Sequence, residues 1–140
     1  MSVNYFSRIK FLPFYLLSVL PMSLLFILSD MTFILIYYLI GYRKKVVLEN
    51  ISGAFPTKSE KEVKAIAKDF YRHFCDIIFE SIKRLTISKR AIRKRLKIKN
   101  PELVENYLNE RRNILLYTAH QGNWEWLIFL PIYFRLRLHS

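Results

Sequence analysis

Cysteine and glycine are scarce in this chain of 140 residues, which has one cysteine and three glycines. The single cysteine, Cys75, excludes an internal disulfide. None of the glycines belongs to a glycine-rich phosphate loop. His73, Cys75 and Asp76 are close in sequence, but their order fits no zinc-binding pattern. We therefore expect no metal site and no cofactor.

Acidic residues are also few: 11 Asp and Glu stand against 23 Lys and Arg, which gives a net charge of +12. Nearly all the charge follows residue 42, since residues 1–42 carry only Arg8, Lys10 and Asp30. A basic region that follows an apolar N-terminal segment indicates that the partner is an anionic lipid headgroup, a phosphorylated lipid or an acidic protein. Nucleic acid is the alternative at a pI near 10.0, but no binding motif is present and the apolar start argues against it.

Charge is absent from Phe11 to Ser29, a run of 19 residues that is long enough to cross a membrane as a helix. A cleaved signal peptide would have a shorter apolar region and a cleavage site with small residues, and the sequence has neither. Pro21 should kink this helix. Residues 31–42 are uncharged too, but short for a second span. The sequence predicts a membrane anchor over 1–42, with a transmembrane helix at about 11–29 and an interfacial or second helix at about 31–42.

The orientation of this anchor follows from its basic flanks. Arg8 and Lys10 precede the apolar run, and Arg43, Lys44 and Lys45 follow it. The larger basic group is the one that follows the apolar run, and it favours a cytoplasmic location for the rest of the chain. Because both flanks are basic, a hairpin or re-entrant anchor with both ends in the cytoplasm stays open as an alternative.

The middle of the chain is predicted to be helical. Residues 43–52 form a helical segment closed by Gly53. Ser59 and Glu62 make a capping box. The helix that follows has an apolar stripe with a 3.6-residue period, and His73 and Cys75 lie off the centre of this stripe. Its apolar positions are 63, 66, 67, 70, 74, 77, 78, 81, 82 and 85. Asn100 and Pro101 begin a further helix, as cap and first residue.

A basic run lies between these helices, with seven Lys and Arg from Lys89 to Lys99. Such runs are commonly solvated faces. Held near a membrane, each basic residue can add on the order of 1 kcal/mol of attraction to anionic lipid. We therefore predict a headgroup or phosphate contact there, with Arg93, Lys94 and Arg95 as the candidate binding residues.

The candidate site follows the short apolar run Asn113–Thr118, which is bounded by arginines and by Gly122 and is typical of a buried strand. Asn123 can cap a new helix. His120 then falls at the end of a strand and Glu125 on the first turn of a helix, where open α/β sheets place their sites. A carboxylate on one ring nitrogen orients an imidazole that acts as a general base. A surface histidine near an unrelated glutamate is the alternative.

Two blocks of sequence resemble a known family. The stretch His120-Gln-Gly-Asn-Trp-Glu125 resembles the His-x4-Asp/Glu signature of glycerolipid-type acyltransferases, and its Gly-Asn-Trp-Glu form is similar to the late (lauroyl/myristoyl) acyltransferases of lipid A biosynthesis. The second block supports the resemblance in the expected order: Tyr42-Arg-Lys-Lys-Val-Val47, Asn50, Ala54-Phe-Pro56, Ser59-Glu60, Phe70-Tyr71 and Glu80.

The resemblance implies a function in lipopolysaccharide biosynthesis at the bacterial inner membrane, with the catalytic part facing the cytoplasm. A fatty acyl chain would pass from acyl carrier protein to a hydroxyl of a lipid A precursor. His120 would be the general base and Glu125 the residue that orients it, with no covalent acyl-enzyme. Gly122 would let the turn approach substrate, and Asn123 would cap the helix or donate to an oxyanion.

The resemblance also implies a chain about twice this long. We therefore expect an incomplete acyltransferase domain over 43–140: the start of a glycerolipid-acyltransferase-like α/β fold, mostly helical here, with at most one partner strand near Leu96–Ile98. We expect such a chain to be inactive by itself and to leave an apolar flank exposed at Ile114–Tyr117 or Trp126–Phe134. The rival interpretation is a non-catalytic, basic, membrane-anchored protein that binds lipid or a partner.

Overall fold

The computed structural model describes the backbone of residues 5–119 and 121–134, and side chains from residue 11 onward within those ranges. The chain forms two compact units, residues 1–86 and residues 87–140. The described residues are mostly helical, as expected. The helices are α1 (Tyr5–Val19), α2 (Met22–Ile34) with a π-helical extension (Leu35–Ile40), α3 (Lys44–Ala54), α4 (Glu60–Lys83), α5 (Lys89–Arg95), α6 (Pro101–Asn109) and a 3-10 helix (Trp124–Ile132).

The apolar N-terminal stretch is divided at Pro21, so the single helix predicted over 11–29 is wrong in its bounds. Proline has no N–H to donate, and Pro21 instead stands at the N-cap position of α2. The two apolar runs of the sequence meet in one helix because α2 continues through the π-helical turn to Ile40. Met22–Ile40, with 19 residues, is long and apolar enough to cross a membrane. Gly41, with a left-handed φ of 67°, ends it.

The capping box at the start of α4 is confirmed. The Ser59 hydroxyl accepts a hydrogen bond from the Glu62 backbone N–H at 3.4 Å, and the Glu62 carboxylate accepts from the Ser59 backbone N–H at 2.9 Å. The Ser59 N–H, then its hydroxyl and the Lys58 ammonium, lower the pKa of Glu62 to about 2. Because this pKa is depressed on folding, the bonds stabilise the helix above about pH 4.5 and are lost as the pH falls toward 2.

Replacing Ser59 with alanine should lower the free energy of unfolding by about 1 kcal/mol, since the first turn of α4 loses its side-chain acceptor. Urea unfolding followed by circular dichroism measures it. Ser52→Ala, an exposed serine inside α3, is the matched control and should change stability by less than about 0.5 kcal/mol. Equal losses in both variants would show that the capping box does not stabilise α4.

The core of the first unit lies where α4 packs against α2 and its extension. Phe33, Tyr37, Tyr71 and Cys75 form one buried cluster. The rings of Tyr37 and Tyr71 meet edge to face, with their centroids 5.4 Å apart. The Tyr71 hydroxyl donates to the Tyr42 carbonyl oxygen. This bond fixes the turn after the π-helical segment against α4.

The buried face of α4 agrees with the predicted stripe at Val63 and Ala67 and departs from it at Tyr71 and Cys75. Val63, Ala67, Tyr71 and Cys75 are buried, whereas Phe70 of the predicted stripe is 47% exposed. These four buried residues follow an i, i+4 ridge, and the small side chains in it let α2 approach closely. The prediction that Cys75 lies off the centre was therefore wrong. Burial raises the pKa of the Cys75 thiol and of the Tyr71 phenol.

In the second unit the predicted strand is absent. Residues 113–119 form neither a helix nor a β-ladder within the described chain, and neither do residues 96–98. An apolar run becomes a strand only where a second strand pairs with its backbone groups. The Ser88 hydroxyl caps α5 by accepting from the Ala91 N–H at 3.2 Å. Pro101 starts α6 as predicted, although the Asn100 side chain makes no capping bond.

Candidate functional site

The predicted site lies in the second unit, around the turn from residue 118 to residue 125. His120, the candidate base, lies outside the described residues, so its pairing with Glu125 stays a prediction. Gly122 has a φ of 63°, in the left-handed region. An added Cβ would meet nothing within 4 Å. The turn therefore needs glycine for its backbone conformation, and the space above it is open.

Glu125 lies where the sequence predicted, on the first turn of the helix that follows Gly122. The side chain is partly buried. The helix is 3-10 rather than α-helical, and it contains Pro131, which cannot donate a backbone hydrogen bond. Asn123 occupies the N-cap position, but its side chain makes no capping bond, so the capping role predicted for it is wrong.

The three cations predicted to bind substrate divide into two kinds. The Arg93 guanidinium donates to the Ile132 carbonyl oxygen at 2.9 Å and lies 5.3 Å from the centroid of the Tyr133 ring. The Tyr133 hydroxyl in turn donates to the Leu96 carbonyl oxygen at 2.5 Å. Arg93 thus ties α5 to the end of the 3-10 helix. Lys94 and Arg95 are exposed at the end of α5.

The exposed apolar flank expected beside the site is confirmed. Ile114, Leu115, Leu116 and Tyr117 are 41%, 76%, 59% and 86% exposed. An apolar run of this kind would be buried on both faces in an open α/β sheet. In the described chain the segment that leads to His120 is therefore not covered.

A groove between α3 and α4, in the first unit, was not predicted from the sequence. It has a volume of about 300 Å³, and its walls include Tyr42, Val46, Phe70 and Phe74. The available signal was the pair Phe70 and Phe74, whose i, i+4 spacing places both on one edge of α4. Their rings stack with centroids 6.2 Å apart.

The comparisons with known proteins give one clear relationship. The family model for bacterial lipid A biosynthesis acyltransferases matches residues 7–130, which include both α2 and the turn with Glu125. No curated protein and no solved structure shows significant similarity to the chain. Because the family match covers most of its length, the chain belongs to the bacterial lipid A biosynthesis acyltransferase family.

Proposed function

We propose that the protein transfers a fatty acyl chain from acyl carrier protein to a hydroxyl of a lipid A precursor, on the cytoplasmic side of the inner membrane. The main support for this proposal is the family match over residues 7–130, because the family indicates acyl transfer in lipid A biosynthesis. The His-x4-Glu spacing of His120 and Glu125 and the open turn at Gly122 support the placement of the reaction in the second unit.

In the proposed reaction His120 takes the proton from the acceptor hydroxyl. The hydroxyl oxygen attacks the thioester carbonyl carbon, a C–O bond forms, the C–S bond breaks, and the thiol leaves with a proton. Glu125 orients His120 and stabilises its positive charge. A thioester is already activated, so no acyl-enzyme is needed. Proton transfer of this kind contributes about 10²- to 10⁴-fold in rate. Gly122 lets the turn approach the substrate, and Asn123 would serve as a donor to the oxyanion.

The basic end of α5 suits an anionic partner. Lys94 and Arg95 are exposed, and α5 contains three basic residues in its last turn and no acidic residue in its first. Both the phosphates of a lipid A precursor and the acidic surface of acyl carrier protein would complement this charge. Arg93 contributes less, because it is already held by the Ile132 carbonyl.

Lys94→Glu and Arg95→Glu together reverse both exposed charges. In membranes from cells that carry this double change, the KM for the lipid A precursor or for acyl carrier thioester should rise about tenfold, with kcat little changed. The effect should shrink at high salt, since exposed charges are screened. Lys61→Glu, at an exposed lysine of the first unit, is the control and should leave KM unchanged. An unchanged KM in the double variant would remove the end of α5 from substrate binding.

The experiment for the function as a whole is mass spectrometry of lipid A from cells with the gene deleted. We expect lipid A to lose the mass of one fatty acyl chain, and the wild-type gene to restore it. Unchanged lipid A in the deletion strain would contradict the proposal.

A non-catalytic role is the second candidate. It is favoured by the exposed basic end of α5 together with the exposed apolar residues of α1 and α2. A protein that binds anionic lipid needs only these features. Under this alternative the deletion strain would keep its acyl chains, while the purified protein would still bind vesicles of anionic phospholipid.

A further inference from the structure

The outer face of α2 and its extension is apolar along its whole length. Leu24, Ile27, Met31 and Leu39 are between 40% and 76% exposed. Asp30 is the only charged residue from Phe11 to Tyr42. An exposed apolar surface of this length is a binding surface for lipid or for another apolar surface.

The opposite side of the same helix is covered by α4 from end to end. The Lys83 ammonium donates to the carbonyl oxygens of Ser18 and Leu20, at 2.8 Å each, just before α2 begins. Near the middle, the Ser29 hydroxyl donates to the Asp76 carboxylate at 2.7 Å. Tyr71 packs on Tyr37 near the far end. The two helices therefore run antiparallel, and α4 accompanies the whole apolar segment.

The surface of α4 that does not pack on α2 carries charged residues. Asp69 and His73 are exposed there. Arg72 lies at the edge of the contact with α2, where its guanidinium is 5.0 Å from the centroid of the Phe33 ring and its Nε is 4.0 Å from a carboxylate oxygen of Asp30. Phe33 is close to the midpoint of Met22–Ile40. If that segment crossed a bilayer, Arg72 and Asp76 would be carried to the middle of the hydrocarbon, where charged side chains are most costly.

We propose that the first unit instead lies in the plane of one leaflet of an anionic bilayer, with the outer face of α2 embedded and α4 toward water. This inference rests on the membrane location in the proposed function and specifies its geometry. The distribution of charge favours anionic lipid as the partner that covers the outer face of α2. This face is uncharged, and the opposite side of the unit, on α4, carries mixed charges. Lys44 and Lys45 lie just beyond the end of the apolar helix. Such a helix embeds about 5–10 Å into the interface.

Site-directed spin labelling of the whole protein in phosphatidylethanolamine and phosphatidylglycerol vesicles tests the geometry. Single cysteines replace Leu24, Met31 and Leu39, which are 40%, 61% and 76% exposed. Lys61→Cys gives a water-facing reference. Cys75 is fully buried, so the parent protein should not react with the spin label and serves as the labelling control. If the parent protein does react, the single cysteines are introduced into a Cys75→Ala background. Depth comes from collision rates with oxygen and a polar nickel complex.

An embedded helix in the plane predicts equal depths at the three sites, within about 4 Å, while the reference stays in water. A spanning helix places the Met31 site about 10 Å deeper than both others, because the seven or eight residues that separate the sites rise about 10 Å. A greater depth at the Met31 site, or a steady increase in depth from Leu24 to Leu39, would overturn this inference and leave the membrane location intact. Labels in water at all sites, with the protein unbound, would overturn both.

Discussion

Acyl transfer should fall about 10²- to 10⁴-fold when His120 is replaced with alanine, because the acceptor hydroxyl then loses the base that takes its proton. The assay uses membranes from cells that carry the change in the chromosomal gene, with acyl carrier thioester and a lipid A precursor supplied. Gln121→Ala changes the next residue, which is exposed, and is the matched control; we expect its rate to stay within about twofold of the wild type.

Glu125→Gln tests the positioning role that we assign to Glu125. The amide cannot stabilise imidazolium as a carboxylate does, so the rate should fall and the rising limb of the pH–rate profile should move to lower pH. A residue with a purely structural role would lower the rate without moving the profile. Glu105→Gln, at an exposed glutamate of α6, is the control. A near-normal rate in His120→Ala or Glu125→Gln would remove that residue from the mechanism.

Residues 1–140, expressed as a separate polypeptide and purified away from the cell membrane, should show no measurable acyl transfer. Leu115 and Tyr117 are 76% and 86% exposed, and residues 113–119 pair with no strand in the described chain. A working site holds its catalytic groups within about 0.5 Å, and this requires a packed support. An unpaired, exposed segment before His120 cannot provide that precision.

This prediction is tested by purifying the chain in detergent and supplying acyl carrier thioester with a lipid A precursor. Acylation that disappears in the His120→Ala variant would show that the chain supports catalysis without a paired strand before the site. Acylation that persists in that variant would come from a contaminant and is removed by repeating the purification from cells without the gene.

Local features were predictable from the sequence because the residues that make them are neighbours. Ser59 and Glu62 are three residues apart, and their reciprocal hydrogen bonds need only the first turn of α4. Pro101 at the start of α6 is local in the same way. The position of Glu125 followed from Gly122, which ends one segment before the next begins.

Features that depend on distant residues were not predictable. The sequence does not tell which edge of the apolar stripe of α4 meets α2, so burial of Cys75 and exposure of Phe70 were missed. The run at residues 113–118 has the composition of a strand, but a strand needs a partner that periodicity does not reveal. The bond from Ser29 to Asp76 joins residues 47 positions apart and has no signature in either segment.

The family resemblance reached further than the residue patterns did. One of its two blocks extends from Tyr42 to Glu80 and the other from His120 to Glu125. They lie in different units of the structure, and the family match contains both. Hydrophobic periodicity predicts only the helices between the two blocks, and the chemistry of the side chains predicts only a histidine paired with a carboxylate. The order and spacing of the two blocks indicate the class of reaction, acyl transfer.

Acyl transfer by this protein is tested most directly by the product that membranes form with and without its gene. A lipid A precursor and a labelled acyl carrier thioester are incubated with wild-type membranes, with membranes from the deletion strain, and with membranes carrying His120→Ala. We predict that only wild-type membranes increase the mass of the precursor by one acyl chain. Equal formation of that product by all three membranes would contradict acyl transfer by this protein.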